Sequence, residues 1–347
     1  MIDPVLSLAL SMHASPGVFA VLIGSGMSRG AGIMTGWEIT LDLAQRVATA
    51  SGENAGRDPA AWFTKRFGHE PSYSDLLAKL ARSSAERQLM LRRYFEPTDE
   101  EREQGLKLPT LAHRGIAKLA AAGYVRLILT TNFDRLMELA LEDEGVRPVV
   151  VASPDAIVGA PPLVHSSCTV VKVHGDYLDT RILNTTEELA RYDRRLSRYL
   201  DRIVDDYGWL IIGWSAEWDT ALRGVFERAR GRRYSMYWAA RGGEVRDHAK
   251  RLTDARGAEV LAIKDADTFV TSLEERVQSI VDSSAPNPMS LASVIYADVG
   301  INRTMPTWHL CRVGPSRELG WRREVGIITG SPGRRGGCRG VDNARAW

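Results

Sequence analysis

Val18-Phe-Ala-Val-Leu-Ile23, closed by Gly24-Ser-Gly-Met-Ser28, is the stretch that decides the fold. Six apolar residues without alternation read as a strand buried on both faces, the pattern of a parallel sheet covered by helices. The glycines that stop it predict a tight strand-to-helix turn, open either to a simple close connection or to a bound phosphate. Six more apolar runs follow, over residues 125–130, 148–151, 169–173, 209–212, 234–238 and 259–263. Helical stretches lie between them, notably 133–143, 219–229, 244–255 and 267–281. Strands that alternate with helices in this way specify an α/β fold, Rossmann-like and doubly wound, with a mostly parallel sheet.

Several segments stand outside this alternation. Asp3-Pro4 before an apolar stretch predicts an N-terminal helix within residues 1–17, capped by Asp3 with Pro4 in its first turn. Residues 37–119 are too long for a crossover connection and read as a helical insertion, with 73–80 as its clearest amphipathic piece. A second helical segment is expected over 177–207, opened by a capping box at Thr185-Thr-Glu-Glu188. Together these place the main domain at 18–284. From 285 to 347 the chain is rich in Gly, Pro and Arg without hydrophobic periodicity, and reads as a poorly ordered tail or a piece of a further domain, with an arginine arm for nucleic acid as the competing expectation.

Composition narrows the function classes. A formal charge of +2 does not call for nucleic acid as a direct partner. No run of about eighteen apolar residues predicts a membrane span, and no basic leader precedes the first apolar stretch, so a cytoplasmic protein is expected. The three cysteines, Cys168, Cys311 and Cys338, are too scattered for a disulfide framework or a zinc ribbon, and no metal is expected.

Four polar segments sit where predicted strands end, the place where open α/β sheets collect ligands. The first is the turn at Gly24, Ser25, Gly26 and Ser28. The second is Thr130-Thr-Asn-Phe-Asp134, in which Thr131 and Asn132 are placed to meet a ligand and Asp134 serves either the site or the cap of the next helix. The third is Lys172-Val-His-Gly-Asp176, whose His174 suits a base or a hydrogen-bond partner. The fourth is Gly213-Trp-Ser-Ala-Glu-Trp-Asp219. There Gly213 and Ser215 suit phosphate or ribose, Trp214 and Trp218 suit packing or ring stacking, and Asp219 suits a helix cap.

In order, these segments resemble the sirtuin family, with its glycine loop, T-x-N-x-D segment, H-G dipeptide and G-x-S segment. The resemblance covers roughly residues 18–284. It implies that Gly24, Ser25, Gly26, Ser28, Thr131, Asp134, Gly213 and Ser215 bind NAD as a substrate, and that Asn132 and His174 form the catalytic pair. Two departures direct the reading. No cysteine lies between Gly175 and Gly213, where protein-deacylating sirtuins commonly hold a zinc module, and Gly32-Ile-Met-Thr-Gly-Trp37 replaces the family's G-I-P-D-F-R stretch. The form resembles bacterial sirtuin-like NAD hydrolases, many of which deplete NAD during phage infection. The resemblance therefore implies a gated NAD hydrolase, with a homo-oligomer or a separate sensor subunit as the gate. The competing expectations are an NAD-dependent deacylase and a non-catalytic NAD or ADP-ribose binding module.

Overall fold

A computed structural model describes residues 3–179, 183 and 189–284. The capping box expected at 185–188 and the segment 285–347 lie outside the described residues. The chain divides into two units, Met1–Ala285 and Pro286–Trp347, and every described strand and helix belongs to the first.

All seven apolar runs form strands: β1 (Phe19–Ile23), β2 (Val125–Thr130), β3 (Val149–Val151), β4 (Thr169–Lys172), β5 (Gly208–Ile212), β6 (Met236–Arg241) and β7 (Glu259–Ile263). They pair in parallel in the order β3-β4-β2-β1-β5-β6-β7. The fold is a Rossmann-like α/β sheet, as its runs predict. Strand β6 sits later than the run at 234–238, because its ladder to β5 begins at Met236 opposite Trp209 and leaves Tyr234 half exposed. From β1 the chain builds outward first on the β2 side, then returns to add β5 on the other, so the order reverses at β1. A crevice opens at the carboxyl ends of the strands at such a reversal.

The two faces of the sheet carry alternate residues of each strand, as a period of two requires. One face packs Val21, Ile23, Ile128 and Val170 against four helices. These are α1 (Pro4–Ala14), α8 (Leu111–Ala121), α9 (Leu136–Asp143) and α14 (Ala266–Ser284). The other packs Ala20, Leu22, Leu127 and Val171 against α11 (Arg194–Asp206), α12 (Thr220–Arg228) and α13 (Asp247–Arg256). Asp3 caps α1 by accepting the Val5 N–H at 3.0 Å, and Leu8, Ala9 and Met12 are fully buried, so this helix belongs to the first unit's core.

The long insertion is helical. It contains α3 (Gly36–Ala50), α4 (Pro59–Phe67), α5 (Tyr73–Leu80), α6 (Ser84–Phe95) and α7 (Asp99–Glu103), preceded by the short α2 (Ser25–Ser28). Helix α3 starts at a reciprocal capping box between Thr35 and Glu38, which gives the Gly32–Trp37 stretch its local role. The insertion has its own apolar core of Ile39, Leu43, Phe63, Leu76 and Leu91. That core reaches the main domain through Phe133, Leu136 and Tyr177. A short α10 (Pro154–Gly159) follows β3.

Candidate active site

The four polar segments arrive on adjacent strands: Gly24 follows β1, Thr131 follows β2, Val173 and His174 follow β4, and Gly213 follows β5. They therefore share one end of the sheet's centre.

On the β1–β5 side, contact is made by backbone. Gly24 N donates to Ile212 O at 2.9 Å, and Gly26 N donates to Gly213 O at 3.0 Å. A Cβ on Gly24 would lie 2.3 Å from Gly213 O and 2.5 Å from Trp214 Cα, closer than any real side chain approaches. Gly213 has a φ of +68°, and a Cβ there would meet Met27 N at 2.7 Å. The glycines of the turn are thus required first by the close approach of two loops. Ser25 and Ser215 are exposed, and Ser215 Oγ accepts the Glu217 N–H at 3.4 Å.

On the β2–β4 side, contact is made by buried side chains. Asn132 Nδ2 donates to Ser28 Oγ at 2.8 Å and to Gly24 O at 3.2 Å, tying the end of β2 to the glycine turn. Its Oδ1 is buried without a hydrogen-bond partner. His174 rests on the carbonyl of the neighbouring residue: Nδ1 lies 3.1 Å from Thr131 O, and as a carbonyl only accepts, Nδ1 donates there. Nε2 lies 3.2 Å from Tyr192 Oη and 2.7 Å from Asp219 Oδ1.

Asp219 precedes α12 but makes no cap hydrogen bond with its side chain, contrary to the sequence expectation. Its carboxylate turns inward, where Oδ2 accepts the Trp214 indole N–H at 2.7 Å. Burial opposes its charge, yet His174, the Trp214 N–H and the nearby Arg223 together hold the carboxyl below its ordinary range. The contact with Nε2 is close but oblique, and Oδ1 is left without a hydrogen bond. Trp214 stacks on Trp238 at 5.5 Å between ring centroids, so packing is its role here, whereas Trp218 is 76% exposed. Burial, and next the charge of Asp219, push the Tyr192 hydroxyl well above its ordinary range, so it is neutral.

Beneath the pair sits a charge network. Lys172 Nζ, fully buried, donates to Phe133 O, Asp134 O, Glu138 Oε1 and Asp176 Oδ2 at 2.5–3.2 Å. It clamps the loop carrying Asn132 to the end of β4, from which His174 follows. Burial pushes the Glu138 carboxyl up despite the neighbouring Lys172. Asp134 Oδ1 accepts the Leu136 N–H at 3.1 Å, a local turn bond one residue ahead of Arg135, the N-cap of α9. An aromatic series continues outward: Phe133 contacts His174 and Phe95, and Phe95 stacks on Tyr177.

Sequence reasoning missed Tyr192, the inward turn of Asp219 and the Lys172 network. Only Lys172, a cation in an otherwise apolar run, gave a signal that a buried acid must meet it. Among the described residues, no group of three or more His, Cys, Asp or Glu side chains is gathered as a metal site. Cys168 is buried, and burial pushes its thiol up to about 12. No helix among the described residues is long and apolar enough to cross a membrane.

Residues 126–261 match the family model of the SIR2-like domain. The matched span runs from β2 to β7 and includes Asn132, His174, Ser215 and Asp219, but not the glycine turn after β1. No curated protein matches the chain. Among solved structures, the chain is similar to a Sir2 enzyme at 17% identity, over 81% of this chain and 100% of that one, with a TM-score of 0.44. It is similar to a Sir2 homologue in complex with NAD at 14% identity, over 81% and 95%, with a TM-score of 0.43. A mutant Sir2 homologue in complex with ADP-ribose aligns at 14% identity over 83% and 100%, with a TM-score of 0.44.

Proposed function

We propose that this protein binds NAD and hydrolyses its nicotinamide–ribose bond, releasing nicotinamide and ADP-ribose. The observation that carries the reading is Asn132: a SIR2-like segment delivers its amide to the glycine turn and leaves Oδ1 buried without a donor, beside His174. A buried acceptor of this kind is costly unless a ligand or water donates to it.

In this reading the C–N bond breaks with its electron pair going to nicotinamide, water forms the new bond to the ribose carbon, and one proton of that water passes to solvent. The transition state has oxocarbenium character, so the site contributes by holding the ribose and water in place. Asn132 Oδ1 accepts from the water or the ribose. Nδ1 of His174 already donates to Thr131 O and Nε2 already meets the Tyr192 hydroxyl, which favours a role in holding the ribose over one as the base for water. Ser28, Thr131, Gly213 and Ser215, with Gly24, Ser25 and Gly26, form the adjoining nucleotide cradle, and Asp134 supports it from the start of α9.

Hydrolysis rather than deacylation is supported by the absence of cysteine between Gly175 and Gly213 and by the altered Gly32–Trp37 stretch. We place the protein among gated effectors of antiphage defence in the cytoplasm, with oligomerisation or a sensor subunit as the gate. The test is NAD loss, with nicotinamide measured chromatographically and no peptide added, in cells challenged with phage and in purified protein. Wild type releases nicotinamide, and Asn132→Ala and His174→Ala each lose at least about a hundredfold. Turnover that persists in both variants, or that requires an acylated peptide, sinks the hydrolase reading.

A further inference from the structure

Asp219 is the second buried acceptor of this site left without a donor. Its Oδ2 is satisfied by Trp214, its Oδ1 makes no hydrogen bond, and that free oxygen lies 2.7 Å from the His174 ring. The residue is 7% exposed, so bulk water does not account for the missing donor.

The loop that carries it is held in shape. Ala216 has a φ of +58°, a conformation that costs a non-glycine residue about 1 kcal/mol or more. Arg223 secures the strained turn by donating to Ala216 O at 2.7 Å and to Glu217 O at 3.3 Å. Trp214 fixes the carboxylate from the opposite side. The loop thus spends a strained residue, a guanidinium and an indole N–H on orienting one carboxylate that does not cap its helix.

An ionised carboxylate only accepts hydrogen bonds, so the missing partner is a donor. Beside His174, and with Asn132 offering a second free acceptor, that description fits a hydroxyl of a sugar. Carboxylates recognise ribose in the same way in dinucleotide-binding folds. We propose that Asp219 is a substrate-binding residue of this site, its Oδ1 accepting a hydrogen bond from a hydroxyl of the ribose that NAD presents to His174. This rests on the NAD reading above and extends it by assigning the ribose-hydroxyl acceptor.

The test compares ligands within one protein, so that a general loss of stability cancels. Calorimetric titration of the full chain uses ADP-ribose and its analogues lacking the 2- or 3-hydroxyl of the terminal ribose. Wild type prefers ADP-ribose over at least one deoxy analogue by about tenfold or more, as expected for a hydrogen bond to a charged group. Asp219→Asn keeps an oxygen for Trp214 but puts an N–H₂ where the acceptor stood, and the preference falls to within about twofold. Should Asp219→Asn fail to fold, Asp219→Ser carries the same comparison. An unchanged preference in the Asp219 variants, or none in wild type, overturns the assignment alone. Failure of wild type to bind ADP-ribose overturns the NAD reading and this one with it.

Discussion

Between β1 and β5 the site is made of backbone, and between β2 and β4 it is made of side chains. On the first side Gly24, Gly26 and Gly213 let two loops touch main chain to main chain. On the second, Asn132 and His174 stand with Tyr192 above a buried lysine, and Asp219 reaches His174 from the loop after β5. The difference teaches where each half keeps its information. A backbone contact tolerates no added atom but asks little of charge, whereas a buried polar cluster tolerates small shifts in shape and none in partners.

The strongest challenge to this contrast is Lys172→Met. It nearly conserves volume but takes the buried cation from Glu138 and Asp176 and leaves them only Arg135, 3.9 Å from each, so a loss of about 3 kcal/mol in denaturant unfolding is expected. A loss below about 1 kcal/mol would show that the polar half is not held by charge. On the other side, Gly24→Ala forces a methyl into Gly213 and Trp214, with about 1–3 kcal/mol lost. Gly30→Ala, whose new Cβ would lie 3.7 Å from its nearest neighbour, stays within about 0.5 kcal/mol of wild type. Equal effects at the two glycines would erase the backbone argument.

The smallest effect is a matter of pH. Because Asp219 ionises more readily folded than unfolded, it contributes stability above the ordinary carboxylate value of about 3.9. That contribution is lost as pH falls through the lower folded value. Trp214→Phe removes one of the donors that depress the carboxyl, so part of its destabilisation, about 1 kcal/mol, is present at neutral pH and vanishes in acid. A difference between the two proteins that is constant from pH 7 to pH 3 would assign the whole effect to lost packing against Trp238.

The two halves were also unequally legible. Strands buried on both faces write themselves as unbroken apolar runs, which is why all seven were visible, and glycines at strand ends announce a close approach. Asn132 and His174 stood out because they follow such runs. Asp219 did not, since an aspartate before a helix carries the same local pattern whether it caps the helix or turns inward. Tyr192 meets His174 across eighteen positions of chain with no periodicity to link them. What the sequence could not express is which of several nearby polar groups the burial would force together.

One consequence of the strand order concerns time rather than structure. The central strand has only distant partners: Ile23 pairs with Thr130 on one side and with Ile212 on the other. Such pairings close long loops before any contact rewards them, which slows folding and leaves early chains without their middle. During synthesis the glycine turn emerges first and can meet Asn132 once β2 is made, yet its backbone partners Ile212 and Gly213 come only with β5. A nascent chain that ends before β5 therefore carries Asn132, His174 and Tyr192 and still lacks Asp219 and a finished pocket. The topology itself delays the first competent molecule until most of the first unit has been made.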